Sequence, residues 1–186
     1  MKRSELEHLI RAAAAITNQY EFVVIGSQSI LGAFPNAPDD LLQSMEADMY
    51  PLDAPDRADM IDGSIGEASI FHERFGYYAQ GVGPETAILP AGWRDRLVRI
   101  QGPGTDLKVG LCLEPHDLVA SKLAAHRDKD LDFAKVALKH GIVKPALLRE
   151  RIFSLPLPEP RRASLARWVA AQVAAPDDPG NGPKST

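Results

Sequence analysis

Apolar residues recur along the chain with two periods. Leu6, Leu9, Ile10, Ala13 and Ile16 fall at helical spacing and predict an amphipathic helix over 5–17, opened by Ser4 and Glu7 as a capping box. Residues 20–25 (YEFVVI) form a β-branched and aromatic run that stops at Gly26-Ser27, the pattern of a buried strand ending in a tight turn. A short helical segment over 28–34 is expected to stop before Pro35, with loop over 36–40. Residues 44–52 (SMEADMYPL) alternate as a strand does. Met45, Ala47 and Met49 then point to one face, and Glu46, Asp48 and Tyr50 to the other.

Further on, a helix is expected over 68–75 with Gly76 as its stop, followed by an extended stretch over 77–82. Strands over 97–100 and 107–113, joined through Gly102-Pro103-Gly104, read as a hairpin. After Pro115 the period becomes helical: 116–127, 130–140 closed by Gly141, 145–153 opened by Pro145, and 161–174. The segment 176–186 has almost no apolar content and is expected to be disordered. This succession predicts an α/β (α+β) fold, a mixed sheet flanked by helices. Residues 1–115 would form its core, and 116–175 a helical part packed on that core within the same domain.

Composition narrows the class. The chain has 186 residues, 45% hydrophobic and 25% charged, which suits one globular domain. The single cysteine, Cys112, lies in the apolar run 111–113 and reads as a buried thiol in a reducing compartment. No stretch approaches the roughly 18 to 20 apolar residues of a membrane span, so no membrane association and a cytoplasmic location are expected. A net charge of -4 and a pI of about 5.7 give no global basic field, so any nucleic-acid contact must come from a local patch. His72, His116, His126 and His140 show no zinc-type spacing, and there is no G-x-x-x-x-G-K-[ST] motif.

Two constellations can carry chemistry. Glu46 and Asp48 share a strand face, about 6.6 Å apart at Cα for a rise of about 3.3 Å per residue, and oxygen-only ligands suit Mg²⁺ or Mn²⁺. Gly26-Ser27, a turn opening a helix, offers backbone N–H groups and a hydroxyl to a triphosphate. The plainer alternatives are a simple turn and a solvated strand face. In the second constellation Lys122 sits beside the apolar stripe of its helix, within reach of a phosphate, and is followed by Asp128, Asp130 and Asp132. One of these aspartates can complete a carboxylate set or act as a base; alternatively they complement a helix dipole while Lys122 snorkels. The segments 71–74 (FHER) and 93–96 (WRDR) read either as a base or RNA pocket or as structural aromatic and Arg-Asp pairs.

In this order, Ile25-Gly26-Ser27 and Glu46-Ala47-Asp48-Met49 match the h-G-[GS] … [DE]-h-[DE]-h signature of the DNA polymerase beta nucleotidyltransferase superfamily. The chain resembles minimal bacterial nucleotidyltransferase-like domains related to the AbiEii/AbiGii abortive-infection toxins. Five motifs over roughly 4–155 carry the resemblance: 22–27, 46–48, 71–76, 89–97 and 117–130. The resemblance implies a metal-dependent enzyme that moves a nucleoside monophosphate from an NTP to a hydroxyl of RNA (tRNA among the candidates) or of a protein, with a cognate antitoxin as an implied partner. Glu46 and Asp48 would hold Mg²⁺ or Mn²⁺. Gly26, Ser27, Lys122 and Arg127 would bind the nucleotide, and Asp130 would serve as base or third ligand. Two departures stand out: 18 residues separate Ser27 from Glu46, and the first carboxylate is Glu rather than Asp. They leave a second reading, a catalytically silent nucleotide- or partner-binding module of the same fold.

Overall fold

The amphipathic N-terminal period becomes α1 (Arg3–Thr17), which buries Leu6, Leu9, Ile10 and Ala13. The helix starts two residues ahead of the expected position, so the Ser4–Glu7 box does not form. Instead the Glu5 carboxylate accepts the Lys2 N–H at 2.7 Å, and Glu7 pairs with Arg3 one turn earlier. In this computed structural model residues 1–174 are described; the expected disordered segment over 176–186 lies outside them.

Five strands form one mixed sheet: β1 (Glu21–Val24), β2 (Glu46–Pro51), β3 (Tyr78–Gly81), β4 (Val98–Ile100) and β5 (Val109–Cys112), in the order β3-β2-β1-β5-β4. β1 runs antiparallel to β2 and parallel to β5, β2 parallel to β3, and β4 antiparallel to β5. The expected hairpin is β4–β5. Its second strand begins at Val109 rather than Leu107, because Asp106 and Leu107 take left-handed backbone conformations (φ 51° and 59°) after the short turn at Pro103–Thr105.

The pleat sorts the two faces. Ile10 of α1 lies over Gly110, where an added Cβ would come within 2.5 Å of Ile10 Cδ1. Through the registers Phe22↔Gly110 and Val24↔Met49, that face also carries Phe22, Val24, Ala47 and Met49, all buried. Glu46, Asp48 and Tyr50 take the opposite face, as their alternation requires.

The remaining helices are α2 (Ala58–Ile65), α3 (Ile70–Phe75), α4 (Pro115–Ala125), α5 (Asp128–Lys139), α6 (Pro145–Phe153) and α7 (Glu159–Ala174). α2 was not foreseen in the sequence, and the helix expected over 68–75 begins only after Ser69, whose side chain accepts the His72 N–H. α4 buries nearly its whole surface, including Leu118, Val119, Ala120 and Leu123. Cys112 is fully buried against Gly32, and burial pushes its thiol up to about 12. No helix among the described residues is long and apolar enough to cross a membrane.

Candidate functional site

Beyond Val24 the chain leaves the sheet through Gly26, whose backbone is extended (φ -81°, ψ -171°), and enters a 3-10 turn over Ser27–Gly32. The Ile25 N–H donates to the Asp48 carbonyl at 3.0 Å, which holds this exit against β2. Asp48 and Glu46 project side by side from one face of β2. Burial, and then the neighbouring Glu46, push the Asp48 carboxyl up to about 7. The second Glu46 oxygen environment comes from β3: Tyr78 Oη donates to Glu46 Oε2 at 3.2 Å.

Glu46 and Asp48 line a cavity of about 1060 Å³ together with Ile25, Gly26 and Ser27, and its other wall is built by α4 and α5 with Lys122, Arg127, Lys129 and Phe133. Lys122 Nζ stands 4.6 Å from the centroid of the Phe133 ring and 3.1 Å from Asp130 Oδ1, while Arg127 Nε donates to Asp130 Oδ2 at 2.6 Å. Burial lowers the Lys122 pKa against the opposing pull of Asp130. Asp130 is itself fully buried; burial would raise its pKa, but Arg127 and Lys122 hold it below the usual carboxylate range. Both Asp130 oxygens are thus taken by cations, and the residue is absent from the cavity wall. Asp130, expected as a base or third ligand, is placed here as the buried partner of Lys122 and Arg127. Asp128 occupies the first turn of α5; Asp132 reaches the cavity wall and pairs with Lys135 at 2.9 Å.

The aromatic-basic segments do not line this cavity. Phe71 packs with His8, Phe75 and Tyr77, with ring centroids 4.7 to 5.9 Å from its own. Arg96 grips the buried Asp117 in a two-pronged contact at 2.8 and 3.0 Å, with Arg151 at 3.3 Å from the same carboxylate. Arg94 lies over the Trp93 ring at 5.3 Å. Of the two readings of these segments, the structure supports the structural one.

Sequence reasoning missed Tyr78, Gln80, Lys129 and Phe133. Tyr78 and Gln80 stand opposite Glu46 and Asp48 in the parallel β2–β3 register, a relation that becomes visible only once that pairing is known. Among the described residues no group of three His, Cys, Asp or Glu side chains can hold a metal ion. The donor set is the Glu46–Asp48 pair, neighbouring carboxylates of which Asp48 is held protonated up to about 7 by burial and by Glu46. That set fits a hard divalent cation which takes its other oxygens from water and substrate phosphates.

A family model described as a nucleotidyltransferase of unknown function (DUF6036) matches residues 4–154. No curated protein and no solved structure matches the chain.

Proposed function

The chain belongs to the DUF6036 nucleotidyltransferases, and on that premise we propose that it transfers a nucleoside monophosphate from an NTP to a macromolecular hydroxyl with the help of Mg²⁺ or Mn²⁺. One observation carries the reading: Glu46 and Asp48 crowd together beside the Gly26-Ser27 turn, across one cavity from Lys122, Arg127 and Lys129.

Glu46 and Asp48 would hold the cation, which when bound neutralises phosphate charge during in-line displacement. The Ser27 hydroxyl and the backbone around Gly26 hold the outer phosphates. Lys122 supplies positive charge from a wall where Asp130 and Phe133 restrict its movement, and Arg127 adds a guanidinium held by the same aspartate. In the transfer, the acceptor oxygen bonds to the α-phosphorus, the bond from that phosphorus to the bridging oxygen breaks, pyrophosphate leaves, and the hydroxyl proton passes to water. The acceptor is RNA, tRNA included, or a protein side chain. That part of the reading, like a toxin role with a cognate antitoxin, rests on the motifs shared with the toxin-like domains.

The test is label transfer from each α-labelled NTP, with Mg²⁺ or Mn²⁺, into an extract of RNA and protein, beside Asp48→Ala. Label on a macromolecule only with Asp48 intact supports transfer and reports the acceptor class. Asp48-independent nucleotide binding without transfer supports the silent module instead.

A further inference from the structure

The two carboxylates of β2 have counterparts on β3. The parallel register sets Tyr78 beside Glu46 and Gln80 beside Asp48, so the four side chains share one face in two rows. Tyr78 Oη donates to Glu46 Oε2 at 3.2 Å.

The phenol is itself held in place. The His72 imidazole lies 4.6 Å from the Tyr78 ring centroid, tilted by 46°. His72 is fixed by two contacts: Nδ1 accepts the Ala68 N–H at 3.1 Å, and its backbone N–H donates to Ser69 Oγ at 3.1 Å. Ala68 takes a left-handed backbone conformation at φ 58°, a strained one for a residue with a Cβ. A strained turn, an imidazole and a phenol therefore lead in series to one oxygen of Glu46.

We infer that Tyr78 is a positioning residue that fixes the Glu46 carboxylate for a divalent cation, with His72 holding the ring. This rests on the reading that Glu46 and Asp48 hold the cation. Glutamate has one more rotatable bond than aspartate, and the phenol restricts the extra freedom that this bond adds. Partners of this kind typically change metal affinity by about 10- to 100-fold when removed.

The experiment is Mn²⁺ titration of the full chain, followed by the electron paramagnetic resonance signal of the free ion. It compares the wild type, Asp48→Asn, Tyr78→Phe, Glu46→Asp and the Glu46→Asp/Tyr78→Phe double variant, each with its melting temperature. Tyr78→Phe is expected to bind Mn²⁺ about tenfold or more weakly at an unchanged melting temperature. In the Glu46→Asp background, where the shorter side chain falls away from the phenol, the same change is expected to cost little. Wild-type binding that depends on Asp48 but is indifferent to Tyr78→Phe overturns the inference alone. An equal loss in both backgrounds also overturns it, since it marks a general packing role. Failure of the wild type to bind Mn²⁺ through Asp48 overturns both the inference and the cation reading beneath it.

Discussion

Asp48 Oδ2 occupies the space that a side chain on residue 26 would need: a Cβ added to Gly26 would lie 1.8 Å from it. The Gly26 backbone is extended, a conformation open to any residue, so glycine is required here for room rather than for conformational freedom. Gly26→Ala must push the Asp48 carboxylate aside, and a side-chain tip can swing where a backbone cannot. The expected outcome is a fold destabilised by about 1 kcal/mol with Mn²⁺ affinity reduced about tenfold or more. Thermal melts beside metal titrations check this.

The Asp48 carboxyl titrates at about 7 in the folded protein and near 4 in an unfolded chain. A carboxyl raised in this way binds its proton more tightly when folded. Its contribution to metal-free stability is therefore present below about 4 and declines as pH rises through about 7. Removing the ionisable group should flatten that decline, so Asp48→Asn is expected to melt higher than the wild type above pH 7 without metal. Cation binding must expel the proton, and Mn²⁺ affinity should rise about tenfold per unit up to pH 7 and then level off. Melting temperature and titration against pH test both slopes.

Asp130 is fully buried between Lys122 and Arg127, and its pKa lies below the usual range. Its stabilising share is therefore present above the ordinary carboxylate pKa and is lost as pH falls through the folded value. Asp130→Ala leaves Lys122, also largely buried, without its partner; breaking such a pair costs about 3–5 kcal/mol. Urea unfolding should show that loss at neutral pH. Fluorescent-nucleotide binding should weaken too, while Mn²⁺ affinity without nucleotide stays close to wild type.

Arg96 and Arg151 converge on the fully buried Asp117 away from the cavity. Asp117→Asn is expected to lower stability by about 3 kcal/mol or more. Under conditions where the variant remains folded, its Mn²⁺ and nucleotide affinities should match the wild type. A selective loss of nucleotide binding would return the 93–96 segment to the candidate site.

Much of the fold was legible because its signals are local. The alternation around Glu46 and Asp48 marks a strand wherever it pairs, and Pro145 and Gly141 mark helix ends by backbone chemistry. Gly26, Ser27, Glu46, Asp48, Lys122 and Arg127, picked out in sequence, line one cavity. α2 escaped because it is short and its buried positions are only Ala58, Ile61 and Ile65, interrupted by Asp59, Asp62 and Gly63 while the apolar Met60 faces out. The part played by Asp130 was hidden because its burial depends on how the chain turns between α4 and α5, where His126 takes φ 59°. Tyr78 was hidden because the β2–β3 pairing spans 32 residues of chain and leaves no local trace.

The fully buried thiol of Cys112, on β5 beneath Gly32 and beside the central strand, makes the protein its own stability gauge. It is the only cysteine in the chain, so an alkylating reagent has one target, and that target is shielded while β5 stays paired with β1. The rate of modification then counts openings of the sheet centre rather than fraying at the edges. For each variant above, one mass measurement of alkylated chain can separate loss of the fold from loss of the site.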